Sequence, residues 1–225
     1  REYADHSAKS EITRIMLVHK PWTGRLVYPE DLIPLPFQKE DAIFALSQNR
    51  SYLALDPGLG KTIIASLIIN ALSNVHCIYV CPPSLVDTVE YEIMKWSPVF
   101  KRPKLCPVVT VIADSMLTKK ATHDGVEAWF KEADYSGAKT LLIVDEAHRF
   151  KNDTSARSKA LFKHFTPYFE QVVFMSGTPM PNRPIELFPI LSNCAPETID
   201  FMNKFQYGLK YCAGYRSNWG WDFSG

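Results

Sequence analysis

Ser51-Tyr52-Leu53-Ala54-Leu55 is a short apolar run that passes directly into Asp56-Pro57-Gly58-Leu59-Gly60-Lys61-Thr62, and an apolar stretch then continues to Leu72. The short run predicts a buried strand, and the longer one from Lys61 to Leu72 predicts a helix. Glycines between a strand and a helix let the backbone come close to an anion, while the free N–H groups of the helix start point at it. The stretch therefore predicts a phosphate-binding loop, with Lys61 reaching the β and γ phosphates and the Thr62 hydroxyl offered to Mg²⁺. The general pattern of such loops has a glycine where Leu55 stands, so this is a variant. A mere tight turn is the competing reading, since short glycine turns are common. The placement between a buried strand and an apolar helix favours the phosphate.

Outward from this loop, strands and helices alternate. The spacing of Phe37, Ile43, Phe44 and Leu46 predicts a helix up to Asn49. Strands are predicted at His76–Cys81, Val108–Ile112, Thr140–Val144 and Val172–Met175. Helices are predicted from Ser84, with Asp87 as a weak capping box and Leu85, Val89, Ile93 and Trp96 as its apolar face, and over His123–Ala133 and Ser155–Phe165. Strands that are continuous apolar runs, alternating with helices, predict an α/β fold with a parallel sheet covered on both faces. Residues 1–35 contain Pro21, Pro29 and Pro34 and predict an irregular lead-in with a short strand or two. Residues 36–200 form the expected domain. The stretch 201–225 is rich in aromatics and glycine, has no clear period and ends in mid-pattern, as a piece of something longer would.

Composition narrows the class further. The chain has 225 residues, 46% of them hydrophobic and 22% charged, as an ordinary globular protein does, which excludes a disordered tail, a collagen-like repeat and a coiled coil. Lys+Arg 25 against Asp+Glu 24 leaves a net charge of +1, so contact with nucleic acid has to come from a local patch. Cys77, Cys81, Cys106, Cys194 and Cys212 form no CxxC pair and no zinc spacing, which points to free thiols and a reducing, intracellular compartment. The polar stretch Arg1 to Ser10 is no signal peptide, and no run approaches the ~20 apolar residues of a membrane span. Lys101-Arg102-Pro103-Lys104 and Lys119-Lys120 are expected as solvated loops, and Arg157, Lys159 and Lys163 as an exposed helix face. His6, His19, His123 and His164 make no constellation.

The second chemical feature is Leu141-Leu142-Ile143-Val144 running into Asp145-Glu146-Ala147-His148. A carboxylate at the C-terminal end of a parallel strand faces the ligand crevice. Asp145 suits holding Mg²⁺ through water, and Glu146 suits taking a proton from an attacking water. A helix start that favours acids for dipole reasons explains the pair equally well in isolation. The phosphate loop removes that alternative. His148 has no second ligand at i+4 and is not read as a metal ligand.

These segments, in this order, resemble the Swi/Snf-like branch of superfamily-two helicases over roughly residues 34–192. Leu35-Pro36-Phe37-Gln38 resembles the family's glutamine motif, and Gly58-Leu59-Gly60-Lys61-Thr62 its motif I. Val80-Cys81-Pro82-Pro83-Ser84-Leu85 resembles motif Ia, with Lys95-Trp96 following. Asp145 through Asn152 resembles motif II with its Lys-Asn extension, and Ser176-Gly177-Thr178-Pro179, Asn182 and Glu186-Leu187 resemble motif III. Tyr211-Cys212 and Trp219-Gly220-Trp221-Asp222-Phe223-Ser224-Gly225 resemble the annealing-helicase subgroup, which includes fork-remodelling enzymes and bacterial or phage relatives. There are departures. Leu55-Asp56-Pro57 replaces the family's Asp-Glu-Met, and Pro57 fixes φ and removes an N–H. Ile112-Ala113-Asp114-Ser115-Met116-Leu117 fits motif Ib only loosely, and motifs IV to VI lie outside this chain.

The resemblance implies a RecA-like ATP-binding lobe over residues 36–200, with residues 201–225 leading to a second lobe that carries an arginine finger. It implies an ATP·Mg²⁺ site built from Gln38, which reads adenine, and from Pro57, Gly58, Leu59, Gly60, Lys61, Thr62 and Ile63, with Thr62 and Asp145 on the metal. It implies catalysis by Lys61, Asp145 and Glu146, coupling through His148, Ser176, Gly177 and Thr178, and DNA contacts at Pro83, Ser84, Lys151 and Asn152. The implied function is a duplex- or fork-DNA translocase of the annealing kind, a monomer without membrane contact, cytoplasmic in bacteria or phage and nuclear in eukaryotes. A chromatin-remodelling ATPase shares the same motor. A non-catalytic nucleotide- or DNA-binding lobe is disfavoured by intact Lys61, Asp145 and Glu146, and an RNA helicase of the DEAH type by Pro82-Pro83-Ser84-Leu85 and Lys151-Asn152.

Overall fold

Apolar runs that must bury both sides of a strand need a covered sheet, and five of them build one here. They are β1 (Arg50–Ala54), β2 (Val75–Cys81), β3 (Val108–Ala113), β4 (Lys139–Val144) and β5 (Gln171–Ser176). All pair in parallel, in the order β1-β5-β4-β2-β3. Each observed strand end lies within one residue of its expected position. The computed structural model describes residues 21–72, 74–98, 107–178, 180, 182–217 and 220–223. Arg1–Ser10, His6, His19, the basic run 101–104, Cys106, Pro179, Trp219, Ser224 and Gly225 lie outside the described residues.

The period-2 alternation of a strand sends neighbouring side chains to opposite faces. Along β2, Cys77, Tyr79 and Cys81 enter one core and Ile78 and Val80 the other. The first face is covered by α1 (Pro36–Leu46), α2 (Lys61–Ala71) and α3 (Val86–Trp96), through Ala42, Ala45, Ile64, Leu67, Ile68, Val89 and Ile93. On the second face lie α4 (Lys120–Ser136) and α5 (Ala156–Ala160), through Val126, Trp129 and Ala160. Cys77, Cys81, Cys194 and Cys212 are free, and burial pushes the Cys81 thiol up to about 12. No helix among the described residues is long and apolar enough to cross a membrane.

Several local expectations change. The helix expected over Ser155–Phe165 is α-helical only to Ala160 and then widens into a π turn, Leu161–Phe165, capped at its start by the Ser155 hydroxyl, which accepts from the Ser158 N–H at 3.2 Å. The Ser84–Asp87 box does not form. Pro83–Leu85 make a 3₁₀ turn, and Leu85, which has no side-chain acceptor, takes the cap position of α3. Residues 21–35 contain no strand. After α6 (Phe188–Cys194), the described part of the aperiodic stretch carries regular elements: α7 (Lys204–Tyr211), whose Asn203 cap accepts from the Gln206 N–H at 3.0 Å, and β6 (Tyr215–Ser217), which pairs antiparallel with β7 (Gly220–Asp222). A two-stranded ribbon is marginal alone. Phe223 holds it to α7 by lying so close to Gly208 that a Cβ there would sit 2.4 Å from its ring.

The strand order places the site. β1 and β2 are separated by β5 and β4, so the chain crosses the sheet between them. The segments after β1, β4 and β5 therefore leave the same C-terminal edge side by side, where open α/β sheets bind ligands.

Candidate functional site

The phosphate loop starts while still tied to its neighbouring strand. The Leu55 N–H donates to the Ser176 carbonyl at 3.0 Å, so the loop leaves β1 bonded to β5. Gly58 and Gly60 then take φ of 87° and 76°, a region costly for residues with a Cβ. Gly60 also lacks room: a Cβ there would lie 2.6 Å from the Gln38 Nε2. α2 starts at Lys61, and the first N–H groups of a helix have no intrahelical acceptor. They are available to an anion. Pro57 packs over Gly177, whose Cβ would be 3.1 Å from the proline ring, so the loop and the segment after β5 touch directly.

Gln38 braces this loop from α1. It is 3% exposed, its Nε2 donates to the Leu59 carbonyl at 3.0 Å, and its Oε1 accepts from the Leu35 N–H at 2.9 Å. Both ends of the amide thus hold backbone, leaving one N–H and one lone pair for a base.

Opposite the loop, Asp145 and Glu146 differ sharply in environment. Asp145 is buried, its Oδ1 accepts from the Glu146 N–H at 2.8 Å and its Oδ2 from the Tyr79 hydroxyl at 3.3 Å. Burial raises its pKa against the opposing pull of that N–H, Lys61 and Tyr79. Glu146 is partly exposed and sits in the left-handed region at φ 49°, a strained conformation for a glutamate that persists where the surroundings enforce it. Its Oε1 lies 3.5 Å from the Lys61 Nζ and its Oε2 3.3 Å from the His148 Nδ1. The same His148 nitrogen meets the Ser176 Oγ at 2.8 Å and the Thr178 Oγ1 at 3.3 Å. Lys61, Glu146, His148, Ser176 and Thr178 therefore form one polar chain linking the ends of β1, β4 and β5. Thr62 and Asp145 supply hard oxygen donors beside the phosphate loop, a set that suits magnesium, which takes few protein ligands when phosphates provide the rest.

The residues expected at DNA divide into two groups. Pro83 and Ser84 are exposed on the 3₁₀ turn after β2. Lys151 and Asn152 are engaged within the chain. The Lys151 Nζ lies 2.9 Å from the Glu186 Oε1, and Asn182 donates to both oxygens of the same carboxylate at 3.2 Å. Partial burial raises the Glu186 pKa, but the Lys151 and Asn182 bonds outweigh it and hold the carboxyl below its ordinary value. Asn152 accepts from the Thr154 N–H and hydroxyl, closing the turn into α5.

Sequence reasoning passed over three groups. Tyr79 was hidden in an apolar run. Tyr52 brings a buried hydroxyl beside Ser176 without hydrogen-bond geometry, and burial pushes its pKa up. Asp114, 1% exposed, receives Arg157 at 3.0 Å and also Arg149, so part of the expected exposed helix face is anchored. Only a polar residue inside an otherwise apolar strand or turn could have signalled them.

A parallel sheet with a glycine loop after its first strand and an acidic pair after its fourth defines a RecA-like P-loop fold. The fold agrees with that of the crystal structure of the Pyrococcus furiosus Hef helicase domain, at a TM-score of 0.54 and 17% identity, over 75% of this chain and 38% of that one. Residues 126–214 match the family model of the SNF2-related domain. It is 32% identical over 195 residues to the SWI/SNF-related matrix-associated actin-dependent regulator of chromatin subfamily A-like protein 1 of Xenopus tropicalis, covering 85% of this chain and 20% of that protein. It is also 32% identical over 209 residues to the human DNA annealing helicase and endonuclease ZRANB3, covering 85% and 19%. The chain thus spans about a fifth of the length of the curated relatives it matches.

Proposed function

We propose that this chain is the ATP-binding lobe of a DNA-dependent ATPase that moves on or reanneals duplex and forked DNA. The observation that carries the reading is the polar chain from Lys61 through Glu146 and His148 to Ser176 and Thr178, which joins the phosphate loop to the acidic strand end. The likeness to proteins named as annealing helicases supports the choice of DNA.

Catalysis in this reading is positioning and charge stabilisation, with no covalent nucleophile. The phosphate-loop amides and Lys61 hold the β and γ phosphates. Thr62 and Asp145 would hold a magnesium ion, which when bound would neutralise phosphate charge. Glu146 takes the proton of the attacking water; its exposure to the crevice suits it to this better than buried Asp145. His148 passes the state of Glu146 to Ser176 and Thr178, and Pro83 and Ser84 meet a DNA backbone through small polar contacts that need no basic field. A second lobe closing over the open face completes the site with an arginine, a contribution worth ~10³–10⁵ in rate where such fingers act.

The test is titration of a fluorescent ATP analogue, followed by turnover with duplex DNA, forked DNA, single strands and RNA. Lys61→Ala is expected to weaken nucleotide binding by about 10²-fold, the scale of a lost charge-assisted phosphate contact. The 225-residue chain is expected to bind nucleotide but turn it over slowly. Equal binding by wild type and Lys61→Ala, or stimulation by RNA alone, overturns the reading.

A further inference from the structure

The candidate metal site has an inner support that the family motifs do not include. Tyr79 lies in β2 with 0% exposure, in the core between the sheet and α1–α3. A tyrosine there has to satisfy its hydroxyl. It does so at the site: the hydroxyl lies 3.3 Å from the Asp145 Oδ2, with the Thr62 side chain close enough to lower the Tyr79 pKa against its burial. A carboxylate only accepts, so the Tyr79 proton goes to Asp145, and the tyrosine oxygen keeps lone pairs on the side of Thr62. The bond is thus directed from the Tyr79 hydroxyl to the Asp145 Oδ2.

That direction bears on cation binding. A hydroxyl that gives a lone pair to a metal must send its proton elsewhere, or the proton faces the cation. The Tyr79 oxygen beside Thr62 is an acceptor to which that proton turns when the Thr62 lone pair goes to a cation. The same tyrosine fixes the rotamer of Asp145, whose other oxygen is already held by the Glu146 N–H at 2.8 Å. Groups that orient metal ligands in this way commonly change affinity by about 10–100-fold when removed. An aliphatic residue in β2 would fill the same core but leave the Asp145 Oδ2 without this link.

We propose that Tyr79 is a positioning residue for the magnesium site, orienting the Asp145 carboxylate from behind the phosphate loop and offering the neighbouring Thr62 hydroxyl an acceptor. The proposal rests on the nucleotide reading given above and adds a residue to it. Tyr79 touches neither phosphate nor water in this role.

The experiment compares wild type, Tyr79→Phe and Lys61→Ala by binding of a fluorescent ADP analogue, first in EDTA and then across a magnesium titration, with thermal melting of each ligand-free protein. Phenylalanine keeps the ring and the core, so the Tyr79→Phe melting temperature is expected within a few degrees of wild type. Its nucleotide affinity in EDTA is expected to equal wild type, while the magnesium concentration for half-maximal gain rises about tenfold. A merely structural tyrosine would move melting and binding in EDTA, and leave the magnesium midpoint alone. An unchanged midpoint in a folded Tyr79→Phe protein overturns the proposal. If Tyr79→Phe melts far below wild type, Tyr79→Met, which also fills the core without a hydroxyl, takes its place under the same criterion. Wild-type binding that Lys61→Ala weakens by about 10²-fold shows that the nucleotide reading stands even when the Tyr79 proposal falls. Absence of binding in wild type brings down both.

Discussion

The two ends of the sheet are held by different kinds of bond. At the N-terminal end, side chains tie down backbone. The Arg50 guanidinium donates to the carbonyls of Asn49, Thr166, Phe169 and Glu170 at 2.9–3.3 Å. Gln171 donates to the carbonyls of Ala45 and Gln48, and Asn74 to those of Ser136 and Gly137. At the C-terminal end, side chains meet one another: Lys61 with Glu146, Glu146 with His148, His148 with Ser176 and Thr178, Tyr79 with Asp145. Backbone there is strained at Glu146 and opened by Gly58 and Gly60. Bonds to backbone satisfy groups that are orphaned in any parallel sheet, and they serve stability. Bonds between ionisable side chains leave capacity to exchange partners when a charged ligand arrives, at a cost in local stability.

This contrast is open to breakage by substitution. The largest effect is expected at Glu146. Replacing it with Gln keeps the size and most of the geometry but removes the base, and DNA-stimulated ATP turnover by the protein carrying both lobes should fall by ~10²–10⁴-fold. Nucleotide affinity should stay within a few-fold, read by the fluorescent analogue. Turnover close to wild type would show that the proton goes elsewhere.

Arg50→Ala is the counterpart at the other end. It leaves several carbonyls without their charged donor, and a loss of about 2–3 kcal/mol is expected, seen as a lower midpoint in urea. Nucleotide affinity should be unchanged. A large change in affinity without loss of stability would erase the distinction between the two ends.

Asp145→Asn gives the smallest expected effect on stability and the opposite sign. Burial raises the folded-state pKa of Asp145 above that of the unfolded chain. Both states are protonated at low pH, so the penalty is absent below the unfolded pKa. It grows as pH rises through the interval between the two values and is complete above the folded one. The asparagine removes that charge, so at neutral pH the ligand-free protein should melt at a slightly higher temperature while its magnesium-dependent gain in nucleotide affinity is lost. A lower melting temperature would mean that the carboxylate stabilises the empty crevice.

Much of the architecture was legible in advance, for a physical reason that differs between elements. Strands β2, β4 and β5 are apolar runs that only burial on both faces makes favourable, and the edge strands β1 and β3 are partly buried apolar runs beside them, so the positions of all five were read to within a residue. The phosphate loop was legible because backbone approach to an anion requires glycine. The Asp145-Glu146 pair was legible because the end of a parallel strand delivers the next residues to the ligand crevice. The tail was not. α7 is only eight residues long and carries Gly208, which weakens it as a helix, although Asn203 three residues before Gln206 was a signal in hindsight. The ribbon β6–β7 depends on Phe223 reaching Gly208, which no local pattern reveals.

Taken alone, the amino-acid sequence determined which segments are buried, where the chain can bend to meet a phosphate, and which carboxylates stand at a strand end, because side-chain polarity and backbone freedom within a few residues decide each of these. Tertiary structure decided who pairs with whom across long separations. It gave Lys151 to Glu186, 35 residues away, rather than to solvent. It turned Gln38 back onto Leu59 and brought Tyr79 beneath Asp145, 66 residues later. Such pairings depend on the order β1-β5-β4-β2-β3, which sets adjacent strand ends side by side without regard to their distance along the chain.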